Sequence, residues 1–243
     1  MLKVLSFGKT DTGLRRPNNE DIFLVRPDLG LSVLADGMGG AAAGELASRM
    51  FAETVMSVFV NGSPKSEQEC LDLLQRSYEL ANERILTHVK ANPQHNGMGC
   101  TAELMLFLNE KFAVGHVGDS RTYLYRKGQL KQLTKDHSLV QQQVDQGLIT
   151  PDAARRHRLR NVILRAVGTK EVLAVDFVRG RAFAGDIFLL CSDGLTDMID
   201  DTSISKILSL SLDIEAKSER LIDSAKSAGG HDNITVILNE IQA

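Results

Sequence analysis

The feature that most constrains the fold is a short apolar run that ends in an aspartate and a glycine cluster. Residues 31–40 read Leu-Ser-Val-Leu-Ala-Asp-Gly-Met-Gly-Gly. This pattern predicts a buried strand that enters a tight loop, and apolar residues at helical spacing follow it over 41–60. Asp36 is therefore predicted where strand, loop and helix meet. A carboxylate in that position costs free energy unless it is paired or bound to a cation.

Three interpretations of Asp36 compete: a helix cap, a dinucleotide-binding loop and a metal ligand. An aspartate ahead of a helix often accepts hydrogen bonds from the free N–H groups of the first turn. The glycines fit a relaxed G-x-G-x-x-A pattern, but a second helix is predicted next, where a βαβ unit requires a strand. No Gly-Lys-Ser/Thr follows the glycines, which excludes a Walker loop. Capping and metal binding both remain open on this stretch alone.

Size, charge and cysteine content limit the class of protein. The chain has 243 residues, of which 43% are hydrophobic, so it can bury a large core, and we expect one domain over 1–243. A formal charge of -3 gives no indication of nucleic-acid or membrane binding. The three cysteines match no paired spacing, and no signal peptide or run of about 18 apolar residues is found. We therefore expect a cytoplasmic protein without disulfides.

The rest of the chain is predicted as blocks of strands separated by helices. Predicted strands cover 4–9, 22–26, 31–35, 101–108, 112–118, 121–125, 173–178, 187–191 and 234–238. Predicted helical segments cover 41–60, 67–90, 138–146 and a short piece from Pro151, and 201–228 is predicted as a helix-rich stretch. Residues 22–35 form a predicted hairpin, so Asp21 before its first strand and Asp36 after its second lie at its open end. Two adjacent acids repel each other unless a cation lies between them.

Residues 134–168 differ from the rest of the chain and are predicted as an excursion from the sheets. The excursion contains a dense basic run. The residues of this run are Arg155, Arg156, His157, Arg158 and Arg160. One interpretation is a solvated surface segment, and the other is a lid that contacts an anionic substrate.

Five aspartates lie within two residues of a predicted strand end. They are Asp21, Asp36, Asp119, Asp193 and Asp232. Each alone is typical of a loop acid, but together they offer hard oxygen ligands that suit Mg²⁺ or Mn²⁺, and no Cys/His cluster offers a zinc site. Close carboxylates without a cationic partner favour a dinuclear site, which activates water and binds a phosphoryl group.

Seven motifs in one order carry a resemblance to a known family. They are Arg16-Pro17-Asn18-Asn19-Glu20-Asp21, Ala35-Asp36-Gly37-Met38-Gly39-Gly40, Gly99-Cys100-Thr101-Ala102, Val117-Gly118-Asp119-Ser120-Arg121, Leu133-Thr134-Lys135-Asp136-His137-Ser138, Cys191-Ser192-Asp193-Gly194-Leu195 and Asp232-Asn233-Ile234-Thr235. The sequence resembles the metal-dependent protein phosphatases, the type 2C serine/threonine phosphatases, of the compact bacterial kind. The motifs span nearly the whole chain, and the expected metal ligands are all present.

The resemblance implies roles for individual residues. It implies that Asp36 bridges two metal ions, that the Gly37 carbonyl helps to hold one, and that Asp193 and Asp232 hold the other. Asp119 is implied to hold a weaker third ion. Two further acids, Glu20 and Asp21, are implied to support bound waters. Arg16 is implied to bind the substrate phosphate, so that Arg16 and Asp36 are the expected catalytic residues.

The resemblance also implies a fold and an activity. The expected fold is of the α+β class: a four-layer α/β/β/α sandwich of two antiparallel sheets flanked by helices, with a flap inserted at about 134–168. The expected activity is hydrolysis of phosphoserine and phosphothreonine in proteins, by attack of a water or hydroxide that bridges two Mg²⁺ or Mn²⁺ ions. The expected partners are phosphorylated proteins and a cognate serine/threonine kinase, and the expected state is a monomer.

Two rival functions are weighed against this expectation. Cys70 and Arg76 satisfy the Cys-x5-Arg spacing of cysteine phosphatases, but the intervening residues carry a helical core stripe that cannot wrap N–H groups around phosphate. The second rival is a binding protein that keeps the fold and has lost catalysis. The intact set of acids argues against it.

Overall fold

The order of strands and helices follows from a computed structural model that describes residues 3–39, 43–61 and 64–242. The strands are β1 (Lys3–Asp11), β2 (Asp21–Arg26), β3 (Leu31–Met38), β4 (Gly99–Cys100), β5 (Ala102–Leu108), β6 (Lys111–Val117), β7 (Arg121–Arg126), β8 (Gln129–Gln132), β9 (Asp176–Arg181), β10 (Ile187–Cys191) and β11 (Ile234–Gln242). The helices are α1 (Ala43–Val58), α2 (Glu67–Ala91), α3 (Leu139–Asp145), α4 (Pro151–Arg155), α5 (Asp193–Thr196), α6 (Asp201–Leu208) and α7 (Ile214–Ser227).

Two sheets of antiparallel strands form the centre of the molecule. The first sheet has the strand order β1-β11-β10-β7-β8. The second has the order β2-β3-β5-β6-β9, and the short β4 pairs with the end of β3. Neighbours along the chain pair as hairpins in β2–β3, β5–β6 and β7–β8.

Apolar side chains fill three layers between these elements. Leu34 and Met105 of the second sheet pack with Phe188 and Ile237 of the first, so the two sheets face each other. Phe51 of α1 and Tyr78 of α2 belong to the layer outside the second sheet. Ile204 of α6 and Leu221 of α7 belong to the layer outside the first sheet. This arrangement confirms the predicted four-layer α/β/β/α sandwich.

Local sequence signals define the ends of helix α2. The Ser66 hydroxyl accepts from the backbone N–H of Glu69, and the Glu69 carboxylate accepts from the backbone N–H of Lys65. These two bonds satisfy donors that the first helical turn leaves free. The helix ends at Asn92, directly before Pro93, which cannot continue a helix.

Several predicted boundaries were wrong, and each error has a local cause. The predicted strand 173–178 is β9 at Asp176–Arg181, because Leu173 and Val175 pack against the helical layer outside the sheet. The helix-rich stretch predicted over 201–228 contains α6 and α7, and Asp213 caps α7 by accepting from the N–H of Ala216. Strand β8 was not predicted. The first residues of the predicted helix 41–60 lie outside the described residues.

The flap leaves the sheets after β8 and returns to them beside β4. The outgoing and returning segments of the flap meet at its base. There Leu139 N–H donates to Val162 O at 2.9 Å, and Leu164 N–H donates to His137 O at 2.7 Å. Helices α3 and α4 lie between these contacts. Within the part of the chain that the structure describes, no helix is long and apolar enough to cross a membrane.

Candidate metal centre

The hairpin of β2 and β3 brings two of the five aspartates together. In the pairing register Asp21 lies directly opposite Asp36. Strand β3 extends to Met38, so Asp36 and Gly37 lie within the strand rather than in the loop that the glycine cluster predicted. The predicted proximity of the two acids is confirmed, because cross-strand partners on one face lie side by side.

Asp21 lies between the two sheets and is almost fully buried. One carboxylate oxygen, Oδ2, accepts from Ser192 Oγ at 2.8 Å and from Thr235 Oγ1 at 2.6 Å. The other oxygen, Oδ1, is buried without a hydrogen-bond partner among the described residues. Burial raises the pKa of Asp21 to about 6, although the two hydroxyl bonds oppose the shift. The unpartnered oxygen is available to a donor or a cation.

Asp36 is the centre of a wider group of acids. Withdrawal from water and the negative charges of four neighbours raise the pKa of Asp36 well above its ordinary value. The four neighbours are Asp21, Asp193, Asp119 and Asp232. Burial and a similar set of charges raise the pKa of Asp193, which begins the short helix α5. The elements thus bring all five predicted acids into one electrostatic cluster.

Arg16 lies at the rim of this cluster. Its guanidinium donates from Nη2 to Asp232 Oδ2 at 2.6 Å, and the arginine side chain is 51% exposed. The other oxygen of Asp232 accepts from the backbone N–H of Asn233 at 2.8 Å. The pKa of Arg16 is raised above its ordinary value, mainly because the hydrogen bond to Asp232 outweighs the opposite effect of burial. The loop that carries Arg16 is therefore docked on the segment just before β11 that carries Asp232.

Asn233 fixes this docking, and the sequence analysis gave it no role. Its side-chain Oδ1 accepts from the N–H of Glu20 at 2.8 Å, and its Nδ2 donates to the carbonyls of Thr12 and Asn18. These bonds join residues more than 200 positions apart. The only sequence signal was the position of the amide beside a candidate ligand.

Close backbone packing explains the glycine after Asp36. A Cβ atom on Gly37 would lie 2.2 Å from the carbonyl oxygen of Gly44 and 2.6 Å from that of Glu20. A Cβ on Gly44 would lie 2.6 Å from the Glu20 carboxylate. Glycine at both positions lets helix α1 approach β3 and leaves space for Glu20 beside the cluster.

Asp119 occupies the flap side of the cluster. It is 7% exposed, and its Oδ1 is buried without a partner among the described residues. Burial and the charge of Asp136 raise the pKa of Asp119 to about 7. Asp119 and Asp193 line a cavity of about 590 Å³ between the flap and the start of α6. The cavity connects the acid cluster to the inner face of the flap.

The residues of the basic run in the flap differ in their contacts. Arg155 Nη2 lies 3.2 Å from Asp201 Oδ1, and Arg160 Nε lies 3.1 Å from Asp197 Oδ2. Both arginines also line the cavity. Arg156 and Arg158 are exposed and make no ion pair within the described residues. The N–H of Leu159 donates to His157 Nδ1, which is a contact within the run itself.

The donor set fits hard divalent cations by its chemistry. The cluster offers carboxylate oxygens, with buried unpartnered oxygens at Asp21 and Asp119 and no cationic partner for Asp36 or Asp193 among the described residues. Over 3–39, 43–61 and 64–242, no three His, Cys, Asp or Glu side chains surround one point as a preformed site. Both oxygens of Asp232 are engaged, one by Arg16 and the other by the N–H of Asn233.

The cysteines do not form a competing site. Cys70 lies within helix α2 and is buried, and burial raises the pKa of its thiol to about 11. Burial also raises the pKa of Cys100 and of Cys191. A thiol with a raised pKa is a poor nucleophile, because the thiolate is the reactive form.

Comparisons with known proteins agree with this fold. Residues 16–227 match the family model described as Protein phosphatase 2C. The chain is 39% identical over 233 residues to the serine/threonine protein phosphatase PstP of Mycobacterium tuberculosis, covering 96% of this chain and 44% of PstP. It is 35% identical over 232 residues to the protein phosphatase PhpP of Streptococcus pneumoniae, covering 94% of each.

Solved structures of a serine/threonine phosphatase also match this chain. A crystal structure of the Mycobacterium tuberculosis PstP matches all of this chain with a TM-score of 0.91 and 37% identity. A structure of the PstP catalytic domain in complex with two manganese ions matches with a TM-score of 0.91 and 36% identity, over the whole of both chains. The chain belongs to the protein phosphatase 2C family.

Proposed function

We propose that this chain is a metal-dependent protein phosphatase that hydrolyses phosphoserine and phosphothreonine in proteins. The observation that carries the proposal is a cluster of partly and fully buried aspartates around Asp36, in which Asp36 and Asp193 have no ion-pair partner among the described residues. Family membership and the activity named for PstP and PhpP support the same reaction. The proposed catalytic unit is one domain over 1–243.

Mg²⁺ or Mn²⁺ is the proposed cofactor, with two core ions. The manganese ions of the PstP structure support this choice. The proposed ligands are Asp36, the Gly37 carbonyl, Asp193 and Asp232, and Glu20 and Asp21 would hold waters around them. When bound, the two ions would lower the pKa of water and neutralise charge on the phosphoryl group. The protein contributes a fixed set of oxygens, because Ser192 and Thr235 orient Asp21 opposite Asp36.

Arg16 is the proposed ligand of the substrate phosphate. Its guanidinium is half exposed and pairs with Asp232, so it can exchange that carboxylate for a phosphate without rearrangement of the fold. A planar guanidinium binds two phosphate oxygens at once and stabilises charge that develops during transfer. Binding of a cation by Asp232 would weaken the existing pair and favour this exchange.

The direct test is phosphate release from matched phosphothreonine and phosphotyrosine peptides, with Mn²⁺ and with excess chelator. We expect hydrolysis of the phosphothreonine peptide in Mn²⁺, loss in chelator and recovery when Mn²⁺ is returned. Cys70→Ser is the control for a thiol mechanism and should keep full activity. Hydrolysis that persists in chelator, or that is lost in Cys70→Ser, would contradict the proposal.

A weaker third ion at Asp119 is a separate part of the proposal. Asp119 lines the cavity beneath the flap, and its buried Oδ1 has no hydrogen-bond partner among the described residues. Asp119→Ala should keep the two core ions, hydrolyse p-nitrophenyl phosphate nearly as well as the wild type and hydrolyse phosphopeptides poorly. Calorimetry that shows loss of the core ions in Asp119→Ala would refute this division.

The proposed setting is the cytoplasm, where a serine/threonine kinase would supply the phosphorylated substrates. The three free cysteines, all buried, are consistent with a reducing compartment. A monomer is the proposed functional state. Size-exclusion chromatography with light scattering would test it, and a mass near twice the chain's 26.6 kDa would contradict it.

A further inference from the structure

A charged pair lies in the core between the sheets, outside the proposed ligand set. Glu103 of β5 and His116 of β6 face each other in the pairing register, and both side chains are fully buried. His116 Nδ1 hydrogen-bonds to Glu103 Oε1, and Thr122 Oγ1 of the opposite sheet donates to Glu103 Oε2. The pair therefore joins the two sheets by polar contacts.

Hydrogen-bond partners define the charge of His116. Its Nδ1 faces the Glu103 carboxylate, and its Nε2 lies 2.9 Å from the carbonyl oxygen of Lys135. The Lys135 carbonyl can only accept, so Nε2 carries a proton, and a carboxylate at Nδ1 favours the doubly protonated ring. Burial alone would lower the pKa of His116, but the Glu103 carboxylate and the bonds raise it overall. Burial raises the pKa of Glu103 as well, yet its two oxygens act as acceptors from His116 and Thr122.

The bond to Lys135 connects this pair to the base of the flap. Lys135 precedes His137, whose N–H donates to Gly118 O at 2.7 Å while its Nδ1 accepts from Gly118 N–H at 3.0 Å. Burial, with the charges of His116 and Arg165, lowers the pKa of His137 to about 4, which leaves Nδ1 free to accept. Gly118 directly precedes Asp119. Hydrogen bonds at Lys135 and His137, joined by the backbone of Asp136, thus link the buried pair to the Asp119 loop.

We propose that the Glu103–His116 pair is a positioning device that holds the flap base and, through His137 and Gly118, the loop of Asp119. The link to phosphopeptide hydrolysis rests on the function proposed above. A buried ion pair contributes little net stability compared with apolar residues of similar size, so stability alone does not account for it. A carbonyl held by a charged donor at a fixed point is a specific consequence of this pair.

Two substitutions of His116 separate positioning from stability. The amide of Asn lies near the place of Nδ1, so His116→Asn can keep the bond to Glu103 and loses the bond to Lys135. The amide of Gln reaches toward the place of Nε2, so His116→Gln can keep the bond to Lys135 and loses the bond to Glu103. Each variant loses one buried bond, so a purely structural role predicts similar behaviour for both.

A third variant and a control complete the set. Glu103→Gln can donate to a neutral His116 at Nδ1, which leaves the Nε2 proton for Lys135. Ser32→Ala is the matched control, because Ser32 Oγ donates to Asn239 Oδ1 at 2.7 Å in another buried pair between the sheets. Ser32 lies near the start of β3, at the far end of that strand from Asp36.

The first readout is the ratio of kcat/KM for a phosphothreonine peptide to kcat/KM for p-nitrophenyl phosphate in Mn²⁺. We expect His116→Asn to lower this ratio by about tenfold or more, as is typical when residues that orient a metal ligand are lost. We expect His116→Gln and Glu103→Gln to stay within about threefold of the wild type, since both keep a donor to Lys135. Ser32→Ala should lower the melting temperature and leave the ratio unchanged.

The second readout is hydrogen exchange at the amides of Gly118 and His137 in the metal-free protein. His116→Asn should accelerate this exchange, whereas His116→Gln, Glu103→Gln and Ser32→Ala should leave it near the wild-type rate. Equal effects of His116→Asn and His116→Gln on the ratio would overturn the proposal, as would a tenfold fall in Glu103→Gln. Unchanged exchange in His116→Asn would also overturn it. If the wild type hydrolysed neither substrate, the proposed function would fail while the exchange experiment still decided the positioning role.

Discussion

The ion pair between Arg16 and Asp232 is weak enough to act as an exchangeable contact. The arginine side chain is 51% exposed and the aspartate 29%, and an exposed pair of this kind contributes about 1 kcal/mol or less to stability. A phosphate carries more negative charge than one carboxylate and matches the guanidinium fork. Arg16 can therefore serve as a docking contact in the free protein and as a phosphate ligand in the complex.

Replacement of Arg16 should separate substrate binding from folding. Arg16→Ala should raise KM if the guanidinium grips the ground-state phosphate, and lower kcat if it acts mainly in the transition state. Arg16→Lys should restore little, because an ammonium lacks the planar fork. Steady-state kinetics on a phosphothreonine peptide would measure both constants, with Arg15→Ala as the neighbouring control. Wild-type constants in Arg16→Ala would remove Arg16 from the site.

At the scale of single residues, acids were easier to predict than the groups that orient them. The hairpin pattern placed Asp21 opposite Asp36, because strand pairing follows from alternation and a short turn. Asn233 and Thr101 were missed as contact residues. Thr101 Oγ1 accepts from the N–H of Asp36 at 3.3 Å and bonds to Ser120 at 2.7 Å. Amides and hydroxyls occur in every loop, so only tertiary contacts distinguish these ones.

Among the elements, the flap is fastened to the body by its own basic run. Arg155 pairs with Asp201 at the start of α6, and Arg160 pairs with Asp197 just after α5. These arginines close one wall of the cavity next to Asp119. Arg156 and Arg158 remain exposed and can contact an anionic substrate, whereas Arg155 and Arg160 bind to the body of the protein.

Paired substitutions in the flap should therefore have different effects. Arg156→Gln with Arg158→Gln should lower kcat/KM for acidic phosphopeptides and leave p-nitrophenyl phosphate nearly unchanged. Each exposed contact is worth less than ~1 kcal/mol and should weaken with added salt. Arg155→Gln with Arg160→Gln should instead speed proteolysis within the flap, because both ion pairs to the body are lost.

The ratio of kcat/KM for the acidic phosphopeptide to kcat/KM for p-nitrophenyl phosphate, measured at low salt, tests the role of Arg156 and Arg158. A ratio equal to that of the wild type in Arg156→Gln/Arg158→Gln would show that these residues are only solvated surface. Equal proteolysis rates in the wild type and Arg155→Gln/Arg160→Gln would contradict the fastening role.

The elements that the sequence predicted poorly are the polar edge strands. Strand β8 reads Gln-Leu-Lys-Gln and has little apolar pattern, and its one signal was the two-residue turn at Lys127 and Gly128, both with positive φ. Strand β9 is also an edge strand with mostly exposed residues. Buried strands such as β5 and β10 were predicted well, because their apolar runs are set by the layers on both sides.

At the scale of the whole molecule, the acid cluster opposes folding when no cation is bound. The folded-state pKa of Asp21 is about 6 and that of Asp119 about 7, above the ordinary value of 3.8. Between roughly pH 4 and pH 7 the folded chain therefore holds more protons at these groups than the unfolded chain does. Stability of the metal-free protein consequently falls as the pH rises through this window.

Thermal unfolding in excess chelator would measure this effect. We expect the melting temperature to be higher at pH 5 than at pH 7.5, by on the order of 5 °C. Mn²⁺ added at pH 7.5 should recover the loss, because a cation that binds only the folded state stabilises it. Asp119→Asn should reduce the difference between the two pH values. A melting temperature in chelator that rises from pH 5 to pH 7.5 would contradict the account.

The four-layer architecture was predicted through the family resemblance, and the strands and helices predicted from alternation and helical stripes agreed with it. The family motifs also placed the five acids correctly in one cluster. The polar contacts between the sheets could not be predicted, since Glu103 and Thr122 meet only when the two sheets pack face to face.

Calorimetric titration of Mn²⁺ into the wild type and into Asp36→Asn at pH 7.5 tests the central claim most directly. Asp28→Asn is a suitable control, because Asp28 is an exposed carboxylate that pairs with Arg26 away from the cluster. The account predicts two tightly bound ions in the wild type and in Asp28→Asn, and loss of both in Asp36→Asn with the fold retained. Wild-type Mn²⁺ binding by a folded Asp36→Asn protein would contradict it.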